Sequence, residues 1–199
     1  MAQIRGSWFP CLRAALDRAG LLAECDAALA TTTRGIFWGS DPTAWFDEGH
    51  VVAIYEAIAV AHGQPMVREL GRDAARFAMT SLWRDLVTAL EGHIGGTPRM
   101  AFEQMPVLWS ASRRDAGELR CVESSSRHAI TEVQGFPYAS SQAWVSAWMG
   151  HHDALMRHFR FSGSVEVLAT EKATEVIRVR AAWGGALAPT RTSGFGASR

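Results

Sequence analysis

The residues best suited to chemistry in this sequence are its seven histidines, because imidazole binds metals and heme iron. His93 ends an amphipathic segment, just before a Gly-Gly-Thr-Pro break. A metal or heme ligand can lie at such a helix end, although an ordinary helix-end histidine is commoner there. His151 and His152 are adjacent, so on a helix their side chains point about 100° apart and do not face one metal. We therefore take His93 as the candidate ligand and expect His151 and His152 to be partly exposed.

A second candidate is the polar run from Ser124 to Arg127, near a predicted strand start. Three serine hydroxyls and the Arg127 guanidinium can bind an anion or a carboxylate. The alternative is that these residues form the polar end of a strand.

Several aromatic side chains are candidates for lining an apolar pocket, since ligand pockets are mostly aromatic and aliphatic. The candidates are Trp83, Phe102, Trp109 and Trp148, with Trp144 near them in sequence. The alternative is that these side chains form the hydrophobic core. Trp83 shares a helical face with Leu86 and Leu90, which favours its burial in either case.

The sequence has no common catalytic signature. The motifs GxSxG, GxxxxGK[ST], HExxH and GxGxxG do not occur. Cys11, Cys25 and Cys121 are widely spaced, which predicts reduced thiols rather than a disulfide framework or a zinc site. These absences make an enzyme the less favoured class, and the free thiols are typical of a cytoplasmic protein.

Composition limits the partners of the chain. It has 199 residues with 20 basic and 20 acidic side chains, and Lys172 is the one lysine among the basic residues. A net charge of zero offers no electrostatic footprint for nucleic acid. We predict no membrane span and no signal peptide, because no run of ~20 apolar residues occurs and residues 1–6 lack the signal pattern.

Hydrophobic periodicity predicts an α+β fold. Helical spacing covers residues 8–29, 50–62, 65–78, 80–93 and 140–159, whereas 30–49 has the composition of a loop. Strands are predicted at 119–123, 128–134, 165–168 and 175–182. This order gives N-terminal helices, central helices packed on an antiparallel sheet, and a closing helix and β-hairpin. We expect one ligand-binding-like domain over residues 1–183 and a flexible tail over 184–199.

The order of short motifs resembles that of a bacterial paralogous family over about residues 4–183. The motifs that carry this resemblance are Ile4-Arg5-Gly6, Trp45-Phe46, the helix Val51 to His62, Glu69-Leu70-Gly71-Arg72, Met105-Pro106-Val107-Leu108-Trp109, and Arg178-Val179-Arg180-Ala181-Ala182-Trp183. That family is similar in layout to heme nitric-oxide/oxygen binding domains, 4-vinyl-reductase-type ligand-binding domains and Golgi tethering subunits. The resemblance implies a signalling or sensory domain that binds a small apolar molecule, or one that binds a partner protein.

The resemblance to heme domains implies specific residues. Their proximal histidine ends a helix before a proline-containing segment, and His93 followed by Pro98 is similar. Their Tyr-x-Ser-x-Arg motif holds the heme propionates; here Ser125 and Arg127 match it, but Glu123 occupies the tyrosine position and would repel a propionate.

Three hypotheses follow. The first is a non-enzymatic sensory domain with a small apolar ligand between the central helices and the sheet, lined by Trp83, Phe102, Trp109 and Trp148. The second is a heme-based gas sensor that uses His93. The third is an interaction module that acts as a homodimer or with a partner protein.

Overall fold

The computed structural model of the chain describes residues 1–81, 84, 88 and 97–186. Its helices are α1 (Trp8–Arg18), α2 (Leu22–Ala28), α3 (Thr31–Gly39), α4 (Gly49–Ser81), α5 (Pro98–Ser112) and α6 (Gln142–His158). Its strands are β1 (Gln3–Arg5), β2 (Trp45–Asp47), β3 (Arg113–Arg114), β4 (Glu118–Ser124), β5 (His128–Gln134), β6 (Phe161–Glu171) and β7 (Val176–Ala186). The structure combines these helices with two antiparallel sheets, which confirms the predicted α+β class.

A small antiparallel sheet joins the N-terminus to the middle of the chain. β1 lies between β2 and β3. Ile4 pairs with Phe46 on one side and with Arg113 on the other, and its side chain is fully buried. Because β2 leads into α4 and β3 follows α5 directly, this sheet holds the first turn of α4 beside the last turn of α5.

The larger sheet has the strand order β4-β5-β7-β6, and its neighbouring strands are antiparallel. Thr131 of β5 pairs with Val179 of β7, and both side chains are buried. Helix α5 packs on β4, and α6 packs on β6. The next pair on the same face, Val133 and Ile177, is buried as well. These four β-branched residues therefore form one covered face of the sheet, because alternate side chains of a strand share a face.

The backbones of α4 and α6 lie in direct contact. A Cβ atom at Gly71 would lie 2.4 Å from the carbonyl oxygen of Ala147, and one at Gly150 would lie 2.2 Å from the carbonyl oxygen of Arg68. Glycine is required at both positions because any side chain would collide with backbone. The Arg68 guanidinium also donates two hydrogen bonds to Asp153, at 2.6 and 3.0 Å. These contacts fix the spacing of the two helices that enclose the candidate site.

Residues 30–49 do not form the predicted loop. They contain α3 and β2. The aromatic ring of Phe37 is fully buried, and Arg13 donates a hydrogen bond to its carbonyl oxygen. Packing of the aromatic residues in this stretch outweighs the turn-forming composition of its threonines and glycines.

The predicted division between helices 50–62 and 65–78 is confirmed: Gly63 has a non-helical backbone, with a φ of 79° and a ψ of 171°, so α4 consists of two helical halves that meet at a kink. The boundaries around Pro98 differ from the prediction. Pro98, predicted as part of a break, begins α5, where its missing N–H is tolerated. The motif Met105-Pro106-Val107-Leu108-Trp109, which lies outside every predicted helix, is in the middle of α5.

No described helix is long and apolar enough to span a membrane. The thiols of Cys11, Cys25 and Cys121 are free, and those of Cys11 and Cys25 are buried. Strand β7 extends to Ala186, whereas residues 187–199 of the predicted tail lie outside the described residues.

Candidate ligand-binding site

Three helices enclose a cavity of about 30 Å³. Its wall is formed by Ala75 and Met79 of α4, Met105, Leu108, Trp109 and Ser112 of α5, Trp148, His151 and Leu155 of α6, and Arg113. A water molecule needs roughly 10–15 Å³ of such space, so the cavity has room for about two molecules of that size. A diatomic or triatomic molecule matches these dimensions.

Two residues that line this cavity each carry a buried polar atom without a hydrogen-bond partner among the described residues. They are the indole Nε1 of Trp148 and the imidazole Nε2 of His151. The Trp148 side chain is 4% exposed and His151 is 9% exposed. Buried polar groups almost always have a partner, so two unpaired ones at a single cavity call for an occupant that can hydrogen-bond.

His151 is neutral in this environment. Burial lowers the pKa of its imidazole well below the usual value, and the positive charge of Arg113 lowers it further. Its ring also lies edge-on to Trp8 and Trp148, with centroid distances of 5.2 and 5.4 Å. The cavity therefore presents a neutral imidazole among aromatic rings, which suits an uncharged ligand.

A buried ion pair lies at the end of the cavity where α5 passes into β3. Nε of Arg113 donates to both carboxylate oxygens of Glu48, at 2.9 and 3.2 Å. The guanidinium also lies 4.3 Å from the ring centroid of Trp109. Burial raises the pKa of Glu48, and the Arg113 charge opposes that rise. The carboxylate neutralises Arg113, so the guanidinium does not present an unbalanced charge to the cavity.

An aromatic cluster fills the space between this cavity and the larger sheet. Trp144 and Trp148 stack with a centroid distance of 5.5 Å, and Trp109 contacts both rings edge-on. Phe136 lies 4.3 Å from Trp144, between centroids. This part of the interior is packed with rings.

The residues predicted to line a pocket are found at different places. Trp109 and Trp148 lie side by side at the cavity. Phe102 instead stacks on Trp183 at 5.6 Å and packs against His152 at 5.3 Å. Trp83 and His93 lie outside the described residues.

In the polar run Ser124–Arg127, Ser124 ends β4 and the other three residues form the turn to β5. The Ser125 hydroxyl bonds to Nδ1 of His128 at 2.9 Å, and Glu123 contacts Nε2 of the same imidazole at 2.6 Å. The Arg127 side chain is exposed. Ser125 and Glu123 are thus engaged with His128, a partner that was absent from the sequence reasoning.

The expectation that His151 and His152 are partly exposed is wrong. His152 is fully buried, with Nδ1 2.9 Å from the carbonyl oxygen of Trp148 and Nε2 2.7 Å from the Thr131 hydroxyl. Trp148, His151 and Leu155 follow the i, i+3, i+7 pattern of one helix face. That spacing was the signal in the sequence that places His151 on the buried side of α6.

Comparison with solved structures identifies the fold as that of H-NOX domains. An oxygen-binding H-NOX domain related to soluble guanylate cyclases aligns with a TM-score of 0.62 and 14% identity, over 92% of this chain and 94% of its own length. The Fe(II) unliganded H-NOX protein from K. algicida aligns with a TM-score of 0.66 and 8% identity, over 93% and 99%. No protein-family model matches the sequence. No curated protein is detectably similar to it.

A heme does not fit among the described residues as they are packed. The cavity of about 30 Å³ is an order of magnitude smaller than the roughly 300–1,000 Å³ of ordinary ligand pockets. The stacked rings of Trp109, Trp144 and Trp148 fill the space next to it.

Proposed function

We propose that this chain is a sensory domain that binds a small neutral molecule directly in the cavity between α4, α5 and α6. The observation that carries the proposal is the pair of unpaired buried atoms, Trp148 Nε1 and His151 Nε2, at one apolar cavity. The ligand class is a molecule of two or three heavy atoms with one hydrogen-bonding atom. The fold shared with H-NOX domains supports a sensory role, since one of these solved structures is an oxygen-binding domain in complex with oxygen.

The apolar wall and the polar pair have separate tasks in this proposal. Met79, Met105 and Leu108 remove water from the ligand and contribute dispersion contacts. The indole N–H of Trp148 donates a hydrogen bond to an acceptor atom of the ligand, and His151 supplies a second polar contact. A signal follows when occupancy changes the packing of α4 against α6, because both helices contribute to the wall.

The test is NMR of the indole N–H of Trp148 in protein equilibrated with carbon monoxide or with xenon, an apolar probe of the space. We expect a saturable shift with both gases. Ala75→Leu fills the cavity and should abolish the shift, whereas the same substitution at the exposed Ala61 on α4 should leave it unchanged. His151→Phe should weaken the carbon monoxide response more than the xenon response. An unsaturable shift, or one unaffected by Ala75→Leu, contradicts the proposal.

The second candidate function is a heme-based gas sensor through His93. The observation in its favour is the fold: H-NOX structures align with TM-scores of 0.62 to 0.66 over at least 92% of the chain. The absorption spectrum of the purified protein after heme reconstitution separates the two candidates. A Soret band that is lost in His93→Ala, but kept in the helix-end variant His62→Ala, supports heme. A spectrum without that band supports direct binding.

A further inference from the structure

A second cleft, of about 400 Å³, lies on the outer side of the helices that enclose the cavity. It runs between the end of α1, the second half of α4 and the end of α6. The charged and polar side chains that line it are Arg18, Arg72, Arg76, Arg157, Asp73 and His158. Four guanidinium groups thus converge from three helices, in a chain whose net charge is zero.

The described carboxylates at this cleft do not balance the arginines. Arg18 and Arg72 share one carboxylate, Asp73, with Nε–Oδ distances of 3.5 and 3.8 Å. Glu69 is the next acid, 4.0 Å from Arg72 and outside the lining residues. Asp153, on the neighbouring turn of α6, is held by Arg68 at 2.6 Å. Among the residues that the structure describes, four guanidiniums against Asp73 leave a local excess of positive charge.

The helix dipole accounts for the positions of two of these four arginines. Arg18 and Arg157 lie in the last turns of α1 and α6, where cations are favoured by the helix dipole. Arg72 and Arg76 lie inside α4, several residues before Ser81, and are four residues apart. Like charges at that spacing destabilise a helix. A bound anion that bridges the two side chains would offset this repulsion.

We propose that this cleft binds a small multivalent anion that carries phosphate groups. Each guanidinium can donate two parallel hydrogen bonds to the oxygens of a phosphate group. A single carboxylate has too few oxygens to pair with four guanidiniums in this way. The volume of about 400 Å³ lies in the range of small-ligand pockets and accommodates a di- or triphosphate group. The inference is independent of the occupant of the inner cavity.

The experiment is calorimetric titration of the full chain with sodium pyrophosphate at low ionic strength. The cleft variant is Arg72→Gln/Arg76→Gln, and Arg157→Gln is a second, single variant from another helix. The control is Arg120→Gln/Arg180→Gln, which removes the same charge from exposed positions on the larger sheet. Thermal unfolding confirms that each variant is folded.

We expect saturable binding with one pyrophosphate per chain. A hydrogen bond to a charged group is worth about 1.5–3 kcal/mol. The affinity of the cleft variant for pyrophosphate should therefore fall by a factor of about ten or more, whereas the affinity of the control should stay within about twofold of that of the unmodified protein. No saturable heat, or an equal loss in the control, overturns the proposal. A further contrary result is that the protein co-sediments with phosphatidylserine vesicles even when pyrophosphate is present in excess. That result would also overturn the proposal, because the cleft would then bind a membrane surface.

Discussion

Removing the Arg113 guanidinium should destabilise the protein strongly, because it leaves the Glu48 carboxylate buried without a counter-ion. Glu48 is fully buried and Arg113 is 7% exposed, so solvent screens their interaction little. In Arg113→Met the two hydrogen bonds of 2.9 and 3.2 Å to Glu48 are lost, together with the contact of the guanidinium with the Trp109 ring. Methionine restores most of the apolar volume, so the variant isolates the electrostatic effect.

The expected loss is about 3–5 kcal/mol, the usual result of breaking a buried ion pair at one partner. A domain of this size has a free energy of unfolding of about 5–15 kcal/mol, so the variant loses a large share of it. The double variant Glu48→Leu/Arg113→Met should recover most of the loss, since no charge remains buried. Urea unfolding followed by circular dichroism measures all three proteins.

The stability of Arg113→Met should also depend on pH in a specific direction. Burial already raises the pKa of Glu48 in the presence of Arg113, and without that cation the pKa rises further. An unfolded glutamate titrates near ~4.3, so between that pH and the raised pKa the folded variant binds a proton that the unfolded chain does not. The deficit of Arg113→Met should therefore shrink as the pH falls from about 8 to 5. A loss below about 1 kcal/mol at neutral pH, or a deficit that grows on acidification, would refute the reasoning.

Further predictions concern the histidines of α6 and the glycines between helices. Burial lowers the pKa of His152 from 6.5 to about 4. Between these pH values the unfolded state therefore binds more protons than the folded state. The free energy of unfolding should fall by up to about 3 kcal/mol as the pH is lowered from 6.5 to 4. His152→Gln should flatten that part of the stability curve in urea titrations at several pH values, and an unchanged slope would rule out this cause. Gly71→Ala and Gly150→Ala should each cost about 1–3 kcal/mol or more, because the added Cβ meets backbone at 2.4 and 2.2 Å. The control Gly35→Ala, in α3 with open space around its Cα, should stabilise by roughly 0.5–1 kcal/mol in the same thermal or urea assay, and equal losses at all three sites would contradict the packing argument.

Local sequence patterns predicted most elements but misplaced those whose signals were ambiguous. The apolar stripe of Val51, Ile54 and Ile58 predicted the start of α4, and all three side chains are buried. The Gly-Gly-Thr-Pro run suggested a break without revealing that Pro98 starts a new helix. A proline is compatible with both a helix end and a first turn, so composition alone does not distinguish them.

The candidate site was predicted in part. Their aromatic side chains make Trp109 and Trp148 candidates for a pocket, and the two rings are in contact at the cavity although the residues are 39 positions apart in the chain. The adjacency of His151 and His152 does not indicate burial, whereas the spacing of His151 with Trp148 and Leu155 on one helix face does. Arg113 and Glu48 carried no local motif, and their pairing depends on the small sheet that brings the ends of α4 and α5 together.

The sequence by itself determined the α+β class, most helices and strands, and the aromatic composition of the interior, because hydrophobic periodicity and turn residues act locally. Only the tertiary structure decided which polar atoms are left unpaired, how large the cavity is and which arginines converge on the outer cleft. These properties depend on distances between residues far apart in the chain, and those distances are set by the contact of α4 with α6 at Gly71 and Gly150. The physical reason is that desolvation and charge balance arise from three-dimensional surroundings, which no single segment contains.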